Sequence, residues 1–126
     1  MRMWMVDPRI MCRQHLLGEW RELFTIVGSL RLHKKFDGYI QNDLLEPQSI
    51  FLRFRELQKE MISRGYTPRK TLGFWETNIL IRNLPLDQRL HIVNQDNSLK
   101  DLLNRCPQCR EIYNQKEKLL EDRNEH

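Results

Sequence analysis

Gln14, His15, Arg21 and Glu22 are residue types, at spacings, that suit reaction chemistry. A carboxylate set among arginine and histidine can move a proton to or from a bound substrate. His15 precedes Glu22 by seven residues, or two helical turns, so a helix would put both on one side. An imidazole there is open to three roles: base, phosphate contact, or hydrogen-bonded structural group. Arg21 and Arg2 suit phosphate, because a guanidinium takes phosphate oxygens in pairs. Spacing alone favours a solvated helix glutamate for Glu22 and a structural histidine at position 15. Cys106-Pro107-Gln108-Cys109 has the spacing of half a zinc site. Zinc needs four ligands and there is no second Cys-x-x-Cys, so Cys12, His91 or His126 would have to complete it. We read the pair as structural and expect neither metal nor cofactor. A redox role lacks the βαβ surroundings such pairs normally have.

The elements that must position these residues are helical. Asp7-Pro8 is a helix-start signal, since aspartate caps free N–H groups and proline fits the first helical position. The spacing predicts a helix from there to about Leu32. Leu16, Trp20, Leu23, Val27 and Leu30 form its apolar stripe, at steps of four, three, four and three. Gln14, Gly18, Arg21, Glu22 and Thr25 fall on the other side. Gly18 costs a helix about 1 kcal/mol relative to alanine, which suggests close approach of a backbone or a ligand. Residues 1–6 read as an extended arm. A loop from Phe36 precedes a second long helix over about Pro47–Arg64, with Ile50, Phe54, Leu57 and Met61 inward and Gly65 as its cap. Phe74–Leu84 is ambiguous between strand and helical turn. Trp75 is available to stack on a base, although burial is the simpler expectation. Shorter helices follow at Leu86–Val93, from Ser98 with Asp101 in a capping arrangement, and, after the Cys106-Pro107-Gln108-Cys109 run, to about Asp122, with a frayed end at 123–126. The fold expected is all-α: a single compact domain over 1–126, with two long helices and shorter C-terminal ones.

The chain has 126 residues, enough for one domain. No apolar run approaches a membrane span, and Asp7, Pro8, Arg9 and Arg13 break any secretory core. Three cysteines, an odd number, suit a reduced intracellular setting better than a disulfide framework. The net charge of +4 is localised: residues 1–35 hold seven basic groups against three acidic ones, while the remaining 91 hold 14 of each. A local basic field suits a polyanion such as DNA. For a charge pattern alone, a solvated basic face without a partner is the favoured reading.

The run QHLLGEWREL, followed by Val27, Gly28, Arg31 and His33, resembles the phage pyrimidine-dimer DNA glycosylases, often called the endonuclease V of ultraviolet repair. Gln14, His15, Leu16, Glu19, Arg21, Glu22 and Leu23 carry the resemblance. It is ungapped back to the chain start, where Arg2 meets an arginine. The segment ending Arg64-Gly65-Tyr66 looks like the family's second long helix. The opening MRMWMVDP, the LLEPQSI stretch and the CPQC pair look like a bacterial branch under the same family name.

The resemblance implies a compact all-α domain acting on double-stranded DNA that holds a damaged base or an abasic site. It implies glycosylase and AP-lyase chemistry. The N-terminal α-amine attacks the sugar C1′, displaces the base, forms an imine, and β-elimination then cuts the strand. An α-amine has a reference pKa of roughly 8, against about 10.4 for lysine, so more of it is neutral near neutral pH. Carried over, the assisting glutamate falls on Glu22 and the DNA contacts on Arg2, Gln14 and Arg21, with His15 a further candidate contact. The nucleophile falls on residue 1. The phage enzymes lose the initiator methionine and use a threonine. Here the bulky Arg2 normally protects that methionine, so Met1 is expected to supply the amine. Thr25 and Gln48 stand where the family has an arginine and, nearby, a histidine. The aromatic, lysine-rich C-terminus has no counterpart, which leaves the lesion open. We expect a monomer away from membranes. The alternatives are a non-catalytic DNA-binding module of the same fold, or a small zinc-stabilised interaction protein.

Overall fold

The computed structural model describes residues 1–124. Residues 125 and 126, and with them His126 as a ligand and the last part of the expected frayed end, lie outside the described residues. Among the described residues there are α-helices and 3-10 turns and no strand, so the chain is all-α. A first 3-10 turn (Pro8–Ile10) leads to α1 (Arg13–Arg31). Then come α2 (Asp37–Gln41), a second 3-10 turn (Pro47–Ser49), α3 (Ile50–Ser63), α4 (Phe74–Ile81), α5 (Leu86–Arg89), α6 (Gln95–Arg105) and α7 (Pro107–Asn124).

The predicted stripe on α1 is buried: Leu16, Trp20, Leu23, Val27 and Leu30 all face inward. So are Ile50, Phe54, Leu57 and Met61 on α3. α1 packs on α3, and Trp20 stacks on Phe54 with ring centroids 6.5 Å apart. Each fully buried aliphatic side chain stabilises the fold by about 1.5–3 kcal/mol. Between the two stripes lies an ion pair that the apolar pattern did not predict. Arg53 donates through Nε and Nη2 to Glu19, at 2.5 and 2.8 Å, with both side chains essentially inaccessible to solvent. Arg53 Nη1 also donates to the Val6 carbonyl at 2.7 Å. α3 thus holds α1 and the N-terminal arm through one guanidinium. α3 ends as predicted at Gly65, whose φ of 88° suits a residue without Cβ. Tyr66 N–H closes on Met61 O and Gly65 N–H on Ile62 O, both at 2.9 Å, which is the double-bonded glycine cap.

Several sequence expectations need correction, among them the loop expected from Phe36, which holds α2 (Asp37–Gln41). The first helix does not run unbroken from Pro8. Asp7 caps a single 3-10 turn, Met11 is extended, and Cys12 opens α1 afresh. In a continuous helix Cys12 N–H would donate to Pro8 O. Instead it donates to Cys109 Sγ at 3.2 Å, while Pro8 O and Met11 O accept from Arg64 Nη2 at 3.1 and 2.7 Å. Tertiary partners have taken the groups that helix continuity required. Likewise α6 starts at Gln95 rather than Ser98, because the Asn94 side chain accepts from Asn97 N–H. Ser98 is buried inside α6 and donates to Trp4 O at 2.5 Å. Phe74–Ile81 is a helix, α4. Trp75 on it is 76% exposed, not buried.

The arm, residues 1–6, forms no helix and is strapped to the body along its length. Met3 is fully buried and its N–H donates to Leu44 O at 2.8 Å. Ser98 holds the Trp4 carbonyl, and Arg53 holds that of Val6. Met5 adopts φ of 57°, in the left-handed region that side chains disfavour, so these anchors fix a strained residue between them.

Candidate functional site

Helix geometry places His15, Glu22 and Ser29 in one column, since steps of seven residues rotate by only about 20° and advance about 10.5 Å. The arm runs beside this column. At one end Ser29 Oγ lies 3.9 Å from Met1 Sδ. At the other the Trp4 indole stands edge-on to the His15 ring, centroids 5.8 Å apart. Glu22 is midway between these two contacts. The chain start is therefore brought to the edge of α1 that carries the carboxylate.

The neighbouring face of α1 is open. Gln14, Arg21 and Thr25 are exposed and Glu22 is half-buried. A Cβ added at Gly18 would meet nothing within 4 Å, and the same holds at Gly28. Gly18 therefore accommodates no other backbone of this chain, and the space over it is free. Among the described residues neither Arg21 nor Glu22 has an ion-pair partner. The basic N-terminal third is partly neutralised. Arg2 pairs with Asp101, Arg9 with Asp7 and Arg31 with Glu76. Arg13, Arg21, Lys34 and Lys35 are left without ion pairs among the described residues, against Glu22 alone. The cavity of about 530 Å³ between the arm, α6 and α7 is lined by none of the six assigned site residues.

Two assigned residues have other engagements. Arg2 Nη1 donates to Asp101 Oδ2 at 2.5 Å, and its guanidinium lies 3.6 Å over the Trp4 ring. The hydrogen bond from Arg2 holds the Asp101 carboxyl below its usual range, against the opposing effect of burial. Arg2 thus fixes the arm on α6. Half-buried His15 turns Nδ1 toward Cys12 Sγ at 3.2 Å and Cys109 Sγ at 3.9 Å, and burial pushes its pKa down. Its Nδ1 is thus directed at the cysteines.

The cysteine surroundings also depart from the sequence reading. Cys106 and Cys109 are not a lone pair, because Cys12 and His15 converge on them. His91 takes no part in this cluster, since its Nε2 lies 2.6 Å from Asp43 Oδ1. Burial pushes the Cys109 thiol up to about 12. Burial also acts upward on Cys106, but the hydrogen bonds its sulfur accepts outweigh it and the net direction is down. The signal that sequence reasoning missed is the Cys12-x-x-His15 spacing, which repeats Cys106-x-x-Cys109 with histidine in the second place.

The family model described as pyrimidine dimer DNA glycosylase matches residues 1–73. That segment holds the arm, α1, α2 and α3, and with them all six assigned residues. Comparison with curated proteins and with solved structures returns no match. No helix among the described residues is long and apolar enough to cross a membrane. The match spans more than half the chain and covers the elements that build the open α1 face, so the chain belongs to the pyrimidine dimer DNA glycosylase family.

Proposed function

We propose that this chain is a DNA glycosylase with AP-lyase activity on double-stranded DNA holding a damaged base or an abasic site. The Met1 α-amine attacks C1′ of the target sugar. The base departs with the glycosidic electron pair and takes up a proton, the attacking nitrogen gives up a proton, and the C1′–O4′ bond then breaks, with O4′ taking a proton, to leave a protonated imine. Glu22 shuttles protons during imine formation and removes the 2′ proton for β-elimination, which expels the 3′ phosphate. Arg21 and Gln14 take the DNA backbone beside the target, and the nucleotide is turned out of the stack to reach the amine. Arg2 and His15 act behind them: Arg2 ties the arm to Asp101, and His15 ties the start of α1 to the cysteines.

The observation that carries this reading is the arm's course along α1. Its contacts at Ser29 and His15 bracket Glu22. A chain start led along the side of α1 that carries Glu22, beside Arg21 and the clear space over Gly18, supports imine chemistry on a polyanion. Borohydride reduction tests it. With a free, verified N-terminus, the full chain should be trapped covalently on abasic duplex DNA, and mass spectrometry should place the adduct on residue 1. Glu22→Gln should lower the rate by about 10²- to 10⁴-fold while DNA binding persists. Salt-sensitive binding without any adduct would make the chain a non-catalytic DNA-binding module instead.

A further inference from the structure

We propose that Cys12, His15, Cys106 and Cys109 hold one zinc ion, a structural centre that joins the start of α1 to the junction of α6 and α7. Their four ligand atoms all lie within 4.8 Å of one another. A tetrahedral ion with bonds of about 2.3 Å to sulfur and 2.0–2.1 Å to nitrogen sets edges of about 3.8 Å between sulfurs and about 3.6 Å between sulfur and nitrogen. Three of the six distances lie within about 0.4 Å of these edges. Cys12 Sγ to Cys106 Sγ is 3.8 Å, Cys12 Sγ to His15 Nδ1 is 3.2 Å, and Cys109 Sγ to His15 Nδ1 is 3.9 Å. A cluster of several irons would hold its thiolates farther apart than a single ion does.

The backbone is arranged for thiolates. Cys12 caps α1 and accepts the His15 N–H at 3.5 Å. Cys106 immediately precedes α7 and accepts the Cys109 N–H at 3.4 Å. The same three-residue step is thus used twice, each time with the second ligand's N–H on the first ligand's sulfur. Cys109 Sγ accepts in turn from Cys12 N–H at 3.2 Å, linking the halves. Such N–H donors, together with the helix N-termini behind Cys12 and Cys106, favour negative sulfur. Three sulfurs and one imidazole select zinc among common divalent ions. Binding displaces the three thiol protons to solvent and leaves the imidazole neutral, so three thiolates and one dication give a centre of charge −1.

All three cysteines are buried and four protein ligands fill the tetrahedron, so no position is open for water or substrate. The centre is therefore structural and takes no part in base release. Its ligands straddle the family match: Cys12 and His15 fall inside residues 1–73, and Cys106 and Cys109 outside. It would pin α6 and α7, which have no part in that match, to the arm and α1.

The test uses the full-length chain, freed of any affinity tag and grown with zinc. Elemental analysis should find one zinc per chain. Cobalt put in its place should give the intense d–d bands of a tetrahedral site with thiolate charge transfer. The three thiols should stay unreactive until a mercurial or strong chelator removes the ion, and chelation should lower Tm. Cys106→Ser/Cys109→Ser should lose the metal. Retention of zinc in that variant would overturn the proposal, as would a six-coordinate cobalt spectrum in the wild-type chain. So would wild-type protein that holds no metal and whose thiols react freely in the presence of zinc. The wild-type cobalt spectrum decides the matter even if the variant fails to fold. Each readout is independent of DNA, so failure here leaves the glycosylase reading standing, and the reverse also holds.

Discussion

Gly18→Ala should move stability and activity in opposite directions. Gly18 lies well inside the 19-residue α1, where glycine costs about 0.8–1.0 kcal/mol relative to alanine. A Cβ there meets no atom within 4 Å, so the substitution creates no clash within the chain. The variant should therefore be stabler by close to that whole amount. At about 2.1 cal/mol/K per residue, a chain of 126 residues has an unfolding entropy of roughly 0.26 kcal/mol/K, so Tm should rise by about 4 °C. If a DNA backbone comes against this face, the new methyl intrudes on a bound duplex instead. Intrusions into packed contacts cost about 1–3 kcal/mol, or roughly 5- to 150-fold in kcat/KM. Calorimetry and single-turnover cleavage of an abasic duplex measure the two effects on one preparation. A higher Tm with unchanged cleavage and unchanged affinity would refute the close-approach argument and move the DNA path off Gly18.

The buried Glu19–Arg53 pair should behave as a unit. Glu19→Ala leaves the buried guanidinium with only the half-exposed Glu56, 3.1 Å from Nη1, as a charged partner and should cost about 3–5 kcal/mol in urea unfolding, whereas Glu19→Met with Arg53→Met should cost much less than the two single changes combined. Additive single costs would show that the two charges do not depend on each other. Acid should loosen the Arg2–Asp101 anchor. The Asp101 carboxyl lies below its usual range in the folded chain, so its contribution is fully present above the unfolded value near 3.9 and is lost as pH falls through the lower folded value. With the carboxylate one-third exposed, solvent screening limits that loss to about 1 kcal/mol or less. Asp101→Asn should remove this part of the acid slope of the unfolding free energy and leave the slope above about pH 5 unchanged. An identical acid limb in both proteins would mean that the pair adds no pH-dependent stability.

The apolar periodicities of α1 and α3 were legible because burial follows helical pitch, and Gly65 because a left-handed cap excludes most side chains. Glu19 and Arg53 were not, since a charged residue within an apolar stripe reads as a break in the pattern until its partner on another helix is known. The interruption at Met11 and Cys12 was hidden for a related reason. Asp7-Pro8 is a true start signal, but what stops that first turn is Arg64 and Cys109, 53 and 97 residues away along the chain. Arg2 was read by its charge alone, and its partner Asp101 lies 99 residues away along the chain. His15 was singled out by its two-turn spacing from Glu22, while its neighbours in space include cysteines from both ends of the sequence. Local pattern thus gave the helices and the open face of α1. It gave little of what holds the arm, because those partners lie mostly in other elements.

The arm's fastenings also set an order of events during synthesis. Residues 1–4 leave the ribosome first, but Ser98 and Asp101, which hold Trp4 and Arg2, follow 94 and 99 residues later. At about 5–20 residues per second, that interval is roughly 5–20 s. α1 and α3 can pair within it, but the chain start has nothing to hold Arg2 until α6 emerges. A nascent chain stalled before residue 101 would carry the open α1 face with its arm held at Met3 and Val6 but not at Arg2, and the chain start would settle into place only as synthesis nears completion.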